Sequence, residues 1–187
     1  MEVKRCGWVS NDELYVKYHD EEWGKPVFED AILYEFLLLE SFQAGLSWIT
    51  ILKKRENFRK AFDEFDCVKI SNYNQDKIDE LLLNEGIIRH RGKIEAAINN
   101  AKLFQNIQIE FRSFSNYLWS FVDNEPILNA FKSLKEVPAK TDLSDKIAKD
   151  LKNRGFKFMG STTVYAFMQA VGLVNDHVSD CFCFKNK

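Results

Sequence analysis

Two cysteines and two histidines near opposite ends of the chain are the residues best suited to bind a metal ion. Cys6 and His19 lie close to the start of the sequence, and His177 and Cys181 lie close to its end. Two thiolates and two imidazoles are a ligand set typical of Zn²⁺. A site built from all four would join the two ends of the chain, and its filled tetrahedral shell would make the metal structural rather than catalytic.

Spacing alone leaves this metal site open. A histidine and a cysteine four residues apart also occur where thiols are simply buried and imidazoles face solvent, and this second interpretation fits the pattern equally well. Cys183 is a rival ligand to Cys181. Cys67, in the segment FDCVKI, is more typical of a small buried apolar residue.

Glu40 lies on an apolar face of the most apolar segment of the sequence. At helical spacing Glu40 shares a face with Leu33, Phe36, Leu37 and Ala44, so it must be buried or line a cleft. A buried glutamate can serve a binding site, or it can form a structural ion pair with an arginine or lysine. On its position alone, the structural ion pair is the simpler interpretation of Glu40.

Basic residues are concentrated in three short segments. The segment GIIRHRGK combines Arg89, Arg91 and Lys93 with the free backbone N–H groups at the start of a helix, an arrangement that can hold a phosphate. The segments KKRENFRK and KNRGFKF add further lysines and arginines. Each basic segment could equally be a solvated surface.

Helices are expected to position these residues. The sequence has only 8 Gly and 3 Pro among 187 residues, too few for the turns of a many-stranded sheet, and strand-like alternation is scarce. We predict an all-α protein of about eight helices that forms one domain over residues 1–187, with two lobes on either side of a binding pocket as an arrangement its length allows. Helical patterns cover SNDELYVKYHDEEWG, FEDAILYEFLLLESFQAGLSW, WITILKKRENFRKAF, NQDKIDELLLNEG, RGKIEAAINNAKLFQN, FSNYLWSF, TDLSDKIAKDLKNRG and STTVYAFMQAVGL.

Composition excludes several classes of protein. A hydrophobic content of 45%, with 16 Phe, 6 Tyr and 4 Trp, excludes global disorder, and a net charge of −2 excludes a uniformly basic nucleic-acid coat. The sequence contains no signal-peptide pattern and no apolar run long enough to span a membrane. We therefore expect a cytoplasmic protein whose cysteines are not disulfides, and nothing requires more than a monomer.

Several ordered blocks of this sequence resemble the DNA-3-methyladenine glycosylase I family. They are Cys6, YHDEEWG, LLLESFQAGLSWITILKKRENFRKAF, GIIRHRGKI, RGFKFMGSTTVYAFMQAVGLVNDH and the final cysteines. The resemblance implies a helix-hairpin-helix fold and a monofunctional enzyme that releases 3-methyladenine from alkylated double-stranded DNA. It also implies one structural zinc ion held by Cys6, His19, His177 and Cys181. Family members often end in consecutive cysteines, whereas this chain has Cys181-Phe182-Cys183, which leaves the first cysteine in place.

The resemblance also places Glu40 in the base pocket, where the matching glutamate of the family contacts the excised base. Methylation at N3 makes adenine cationic, so aromatic faces favour it by about 0.5 to 2 kcal/mol per contact and a carboxylate favours it further. Candidates for the aromatic walls are Trp8, Tyr18 and Trp48, each of which could instead be ordinary core. Trp23 and Trp119 are expected to be core.

Two further roles in base excision are assigned to named residues. Many superfamily members use an aspartate after the hairpin to stabilise the developing sugar cation, but here no aspartate follows GIIRHRGK until Asp123. The sequence names no replacement for that aspartate. Glu40 is the candidate catalytic residue, with base binding favoured over activation of water. Leu46 is the apolar candidate to fill the gap left by an extracted base, and Gly45 beside it would allow close approach of the backbone.

Two other functions compete with the glycosylase. A protein that binds alkylated DNA or nucleobases without cleavage could use the same aromatic residues and Glu40. A zinc hydrolase would need an open coordination position, which four protein ligands would close.

Overall fold

The computed structural model describes residues 3–185, and most of these are helical. Residues 1, 2, 186 and 187, the outermost positions of the predicted domain, lie outside the described residues. Within residues 3–185 there are nine α-helices, α1 (Glu13–Glu21), α2 (Asp30–Gln43), α3 (Trp48–Ala61), α4 (Cys67–Ser71), α5 (Gln75–Leu83), α6 (Arg91–Phe111), α7 (Phe114–Trp119), α8 (Asp142–Asn153) and α9 (Ser161–Ala170). Short 3₁₀ turns cover Asp63–Phe65, Ser120–Val122, Leu134–Glu136 and Phe182–Lys185. The predicted all-α class is confirmed.

One short helix and two short strands differ from the sequence-based expectation. The five-residue helix α4 was not predicted; the Asp66 carboxylate accepts hydrogen bonds from two of its first N–H groups, at 2.9 and 3.1 Å. The strands β1 (Ile127–Leu128) and β2 (Val174–Asn175) form a parallel pair in which Ile127 faces Val174. This pair holds the segment before His177 against the middle of the chain.

Helix α2 forms the centre of the core. Every residue from Leu33 to Phe42 is buried, which explains its apolar sequence on nearly every side. It packs against α3, α6, α7 and α9. The helix ends at Gln43, before an exposed turn at residues 44–47, which we call the wedge turn. Gly45 of this turn has a φ of +83°, a conformation in which a side chain would be strained.

Helices α5 and α6 form the predicted helical hairpin around residues 84–90. The Asn84 side chain accepts a hydrogen bond from Gly86 N–H at 2.8 Å, and this bond closes the turn. His90 caps α6, because its Nδ1 accepts a hydrogen bond from Lys93 N–H at 3.2 Å. These two bonds fix the turn and the start of α6.

The two ends of the described chain meet beside α1. Phe182 N–H donates to Lys4 O at 3.0 Å, which brings Cys181 next to Cys6. At the end of α1, Gly24 N–H donates to Gln169 O of α9 at 2.9 Å. None of the helices in residues 3–185 is long and apolar enough to cross a membrane.

Candidate active site and metal centre

A cavity of about 350 Å³ lies among α1, α2, α3 and α9. Aromatic side chains from the first 48 residues contribute much of its lining, and Glu40 of α2 belongs to it. Thr162, Tyr165, Ala166 and Gln169 of α9 contribute further lining, together with Val137 and Pro138. A cavity of this volume, lined by aromatic and other apolar side chains with a few polar groups, is suited to a flat small molecule such as a nucleobase.

Glu40 has no structural ion pair in this cavity. Its side chain is 3% exposed, and its Oε2 atom has no hydrogen-bond partner within the described part of the chain. Burial raises the pKa of Glu40 to about 8. The ion-pair interpretation is therefore wrong for Glu40, and its carboxyl group keeps an acceptor position available to a ligand.

Trp48 supplies a second unpartnered polar group. Its Nε1–H is buried and has no acceptor among residues 3–185. The Trp48 ring lies 5.4 Å from the Tyr18 ring, and the Tyr18 side chain is buried. Burial, followed by the nearby Glu40 carboxyl group, raises the pKa of Tyr18, so the phenol keeps its proton. The cavity thus offers one free donor and one free acceptor beside aromatic faces.

Trp8 and Trp23 complete the aromatic lining on the side of the metal ligands. Their rings lie 5.0 Å apart, and Trp8 lies 5.3 Å from the His19 ring. Trp23 was expected to be core, and it is buried, but it also lines the cavity. Trp119 is buried as predicted, away from the cavity lining.

Cys6, His19, His177 and Cys181 form one buried cluster. One donor atom from each of the four residues lies within 4.8 Å of the other three. Three of the sulfur–nitrogen pairs are each 3.5 Å apart. In a tetrahedral zinc site, Zn–S bonds of about 2.3 Å and Zn–N bonds of about 2.0 Å separate sulfur from nitrogen by about 3.6 Å. The four side chains therefore fit a zinc ion in both chemistry and spacing.

The outer nitrogens of both histidines have hydrogen-bond partners that fix which nitrogen faces the cluster. His19 Nδ1–H donates to the Asp20 carboxylate at 2.7 Å, which leaves Nε2 for the metal. His177 Nε2–H donates to the Trp23 carbonyl at 3.1 Å, which leaves Nδ1. Gly24 makes room for this ring, since a Cβ atom there would lie 3.1 Å from His177.

The rival ligand Cys183 lies outside this four-residue cluster. It is buried and comes near His19 and Asp20 instead. Burial raises the pKa of Cys183 to about 12, as it does that of Cys6 in the metal-free chain, and burial lowers the pKa of His177 to about 4. A bound cation would instead lower the pKa of a thiol that coordinates it.

The candidate DNA-binding residues lie in two different settings. The side chains of Arg89 and Arg91 are about half exposed, and they form surface ion pairs with Glu85 and Asp79 at 3.6 and 2.9 Å. Such exposed pairs are weak and readily exchanged for a phosphate. In the wedge turn, Gly45 and Leu46 are exposed, and Leu46 retains 39% of its accessible surface.

Lys93 requires a correction to the sequence-based expectation. Its side chain is buried, and its ammonium group donates to the carbonyl oxygens of Phe42 and Ala44, both at 2.8 Å. Burial lowers the pKa of Lys93. The ammonium is therefore not free at the surface to bind a phosphate, and it holds the end of α2 instead.

Sequence reasoning did not single out a buried polar group on the α9 side of the cavity. Asp176 is 1% exposed and lines the cavity. Its carboxylate accepts hydrogen bonds from Tyr165 at 2.5 Å, Gln169 at 2.8 Å and Asn129 at 2.7 Å. The sequence shows that Tyr165 and Gln169 are four residues apart and so share one face of a helix. It does not show that the chain folds back to place Asp176 against that face.

The sequence matches known proteins over nearly its whole length. The methyladenine glycosylase family model matches residues 8–184. The chain is 50% identical over 182 residues to DNA-3-methyladenine glycosylase 1 of Escherichia coli, covering 97% of each chain. It is also 50% identical over 179 residues to DNA-3-methyladenine glycosylase of Haemophilus influenzae, covering 96% of this chain and 97% of the relative.

Solved structures show the same fold. A crystal structure of 3-methyladenine DNA glycosylase I is 52% identical, with a TM-score of 0.94, and the match covers 96% of this chain and 99% of that one. A tyrosine-to-phenylalanine variant of a 3-methyladenine DNA glycosylase I, solved in complex with 3-methyladenine, is 38% identical with a TM-score of 0.92 and covers 95% and 96% of the two chains.

Proposed function

This chain belongs to the methyladenine glycosylase family, and we infer that it is a DNA glycosylase that hydrolyses the N-glycosidic bond of 3-methyladenine in alkylated DNA. The observation that carries the site assignment is the pair of unpartnered buried groups, Glu40 Oε2 and Trp48 Nε1, within an aromatic cavity. Buried polar atoms are nearly always hydrogen-bonded, so two free ones in one cavity support a polar ligand there.

Base recognition in this proposal depends on charge. In DNA the N3-methylated adenine is a cation, whereas unmodified adenine is neutral. The faces of Tyr18, Trp48 and Trp8 attract a cation by about 0.5 to 2 kcal/mol each. Glu40 accepts a hydrogen bond from the exocyclic amine, and the positive charge beside it lowers the pKa of its carboxyl group and favours the ionised form. Neutral adenine has none of this charge attraction, so it is rejected.

Bond cleavage needs little acid catalysis in this proposal. When the C1′–N9 bond breaks, its electron pair neutralises the base, which leaves as free 3-methyladenine. A water oxygen then bonds to C1′ and releases a proton to solvent. Glu40 is the candidate catalytic residue because it contacts the leaving base through the exocyclic amine; we assign no separate base to the attacking water.

We also propose that Cys6, His19, His177 and Cys181 hold one zinc ion. The matched spacing of the donor atoms and the hydrogen-bonded histidines support this assignment. When bound, zinc supplies structural cross-linking of the two ends of the chain. His19 lies next to Trp8, and His177 lies 4.7 Å from Trp23, so the zinc site supports the aromatic side of the cavity.

The proposed partner is double-stranded DNA in the bacterial cytoplasm. The N-terminus of α6, with Arg89 and Arg91, is the proposed phosphate contact, and Leu46 of the wedge turn is the proposed plug for the space left by the flipped base. Relatives of this chain are bacterial repair enzymes, and bacterial DNA lies in the cytoplasm, which supports the location.

Chromatography of the bases released from methylated duplex DNA tests this function. We expect the wild-type protein to release 3-methyladenine, and Glu40→Gln to lose about 10- to 100-fold in rate because a charge-assisted hydrogen bond is lost. Glu56→Gln is the matched control, since Glu56 is a surface glutamate of α3. Binding of methylated DNA without base release would favour the non-catalytic alternative. Equal rates for both variants would remove Glu40 from the site.

A further inference from the structure

Lys93 connects the helical hairpin to the wedge turn through two hydrogen bonds. It lies in the first turn of α6, and its side chain crosses to the end of α2. There the ammonium donates to Phe42 O and to Ala44 O, each at 2.8 Å. Residue 42 belongs to the last turn of α2 and residue 44 begins the wedge turn, so one side chain holds the point where the helix becomes the turn.

These two carbonyl groups need a partner. The last carbonyls of a helix have no donor within the helix, and the partial negative charge at this end favours a cation. Many helices meet this need with water or with a glycine after the last turn. Here the donor is a lysine that comes from a different helix and has little contact with solvent, since Lys93 is 6% exposed.

The cost of this arrangement indicates a specific use. Burial of an ammonium group is unfavourable unless other groups compensate it, and no acidic side chain forms an ion pair with Lys93 within residues 3–185. Desolvation accordingly lowers the pKa of Lys93.

We propose that Lys93 is a positioning residue that sets the place of Leu46 relative to the hairpin that grips the DNA backbone. The proposal rests on the proposed glycosylase function and on the roles assigned there to the start of α6 and to Leu46. Ala44 lies two residues before Leu46, and Leu46 N–H donates to Gln43 O at 2.7 Å, so the wedge turn is short and tightly bonded to the end of α2. The position of the wedge turn therefore depends on the Ala44 carbonyl group, to which Lys93 donates a hydrogen bond.

The consequence for base extraction is geometric. When the N-terminus of α6 binds a phosphate, Lys93 fixes the distance from that phosphate to Leu46. Without the hydrogen bonds from Lys93, the wedge turn could still approach the DNA. Leu46 would then no longer keep one position relative to the bound phosphate. A displacement of about 1 Å can lower an enzymatic rate by about 100-fold.

Lys93→Met tests this proposal, because methionine keeps the stem volume and removes the donors. Folding is checked by zinc content and circular dichroism. Two properties are then compared with the wild type: affinity for free 3-methyladenine, which needs the cavity alone, and single-turnover release of 3-methyladenine from a duplex, which also needs the wedge. We expect base affinity to stay within about 2-fold and the release rate to fall about 10- to 100-fold.

A fluorescent duplex reports on the wedge directly. The probe carries 2-aminopurine next to a tetrahydrofuran abasic analogue, so that insertion of a side chain beside it changes its fluorescence. We expect a weakened signal from Lys93→Met at saturating protein. Lys102→Met is the matched control: it lies nine residues further along α6, on the opposite face, and it is exposed. It should behave as wild type in every assay.

A double variant separates this role from a general loss of stability. If Lys93 acts through Leu46, then Lys93→Met combined with Leu46→Ala should be no more than about 3-fold slower than Leu46→Ala alone. Losses that multiply, a parallel loss of free-base affinity, or an unchanged release rate would each overturn the proposal. If Lys93→Met does not fold, Lys93→Gln, which keeps one donor, replaces it in the same comparison. Failure of the wild type to release base would instead reject the proposed function itself.

Discussion

Glu35 and Glu40 are both buried on α2, yet only Glu35 is neutralised by arginines. Arg55 Nε and Arg59 Nη2 donate to Glu35 Oε1 at 2.6 and 2.9 Å, whereas Glu40 Oε2 has no partner within the described residues. The basic residues of α3 therefore stabilise one carboxylate and leave the other to the cavity. This difference separates a structural glutamate from one that can serve a ligand.

The raised pKa of Glu40 predicts a particular dependence of stability on pH. Its ordinary pKa is 4.5 and the folded protein raises it to about 8. Between these values the unfolded chain has lost this proton while the folded chain keeps it, so this contribution to the free energy of unfolding falls as pH rises. We expect the free energy of unfolding, measured by urea denaturation at pH 5, 6, 7 and 8, to fall less with rising pH in Glu40→Gln than in the wild type. Parallel curves for the two proteins would contradict a buried, unpaired Glu40.

Trp48 is predicted to contribute both a ring face and a donor to base binding. Trp48→Phe keeps an aromatic face but removes the unpartnered Nε1–H, whereas Trp48→Ala removes both. We expect affinity for 3-methyladenine to fall about 2- to 10-fold in the first variant and by a larger factor in the second. Titration calorimetry with the free base measures this order. Wild-type affinity in Trp48→Phe would show that the donor is unused, and equal losses in the two variants would show that the ring face contributes nothing.

The zinc assignment predicts different outcomes for two neighbouring cysteines. Cys181→Ser should reduce the zinc content well below one ion per chain and lower the melting temperature by about 10 °C, because a ligand of a structural site is lost. Cys183→Ser should keep both, since Cys183 lies outside the four-residue cluster. Elemental analysis and thermal melts measure these properties. The reverse pattern would make Cys183 the ligand.

Zinc binding should also weaken as pH falls. Both thiols must lose a proton to bind the metal, and burial holds the pKa of Cys6 at about 12 in the metal-free chain. Competition with a chelator at pH 6 and pH 8 should therefore remove zinc more readily at pH 6. Equal removal of zinc at the two pH values would argue against thiolate ligands.

Arg91 is predicted to contribute to DNA affinity without sequence preference. The Arg91 side chain is about half exposed at the start of α6, and its partner Asp79 is a surface carboxylate. We expect Arg91→Gln to weaken binding to every duplex by a similar factor and to reduce the slope of log affinity against log salt by about 1. Fluorescence anisotropy over a salt series measures both. An unchanged slope would place the phosphate contact elsewhere.

The sequence was informative where a residue type is unusual for its surroundings. A carboxylate in an apolar helix indicated Glu40, and soft ligands at both ends of the chain indicated the metal cluster. Lys93 could not be placed in this way, because a lysine among basic residues is typical of a surface and its acceptors lie about 50 residues earlier in the chain. Asp176 was missed for the same physical reason: its partners come from other elements, and only the folded chain brings them together.

The joining of the two chain ends has a consequence for how the protein is made. His177 and Cys181 are synthesised long after Cys6 and His19, so the metal cluster cannot close until almost all of the described chain has left the ribosome. Contacts between such distant residues form late, because the long intervening loop must first be ordered. Trp8 and Trp23 lie against the histidines, so this side of the cavity receives its support from the last segment of the described chain to be synthesised.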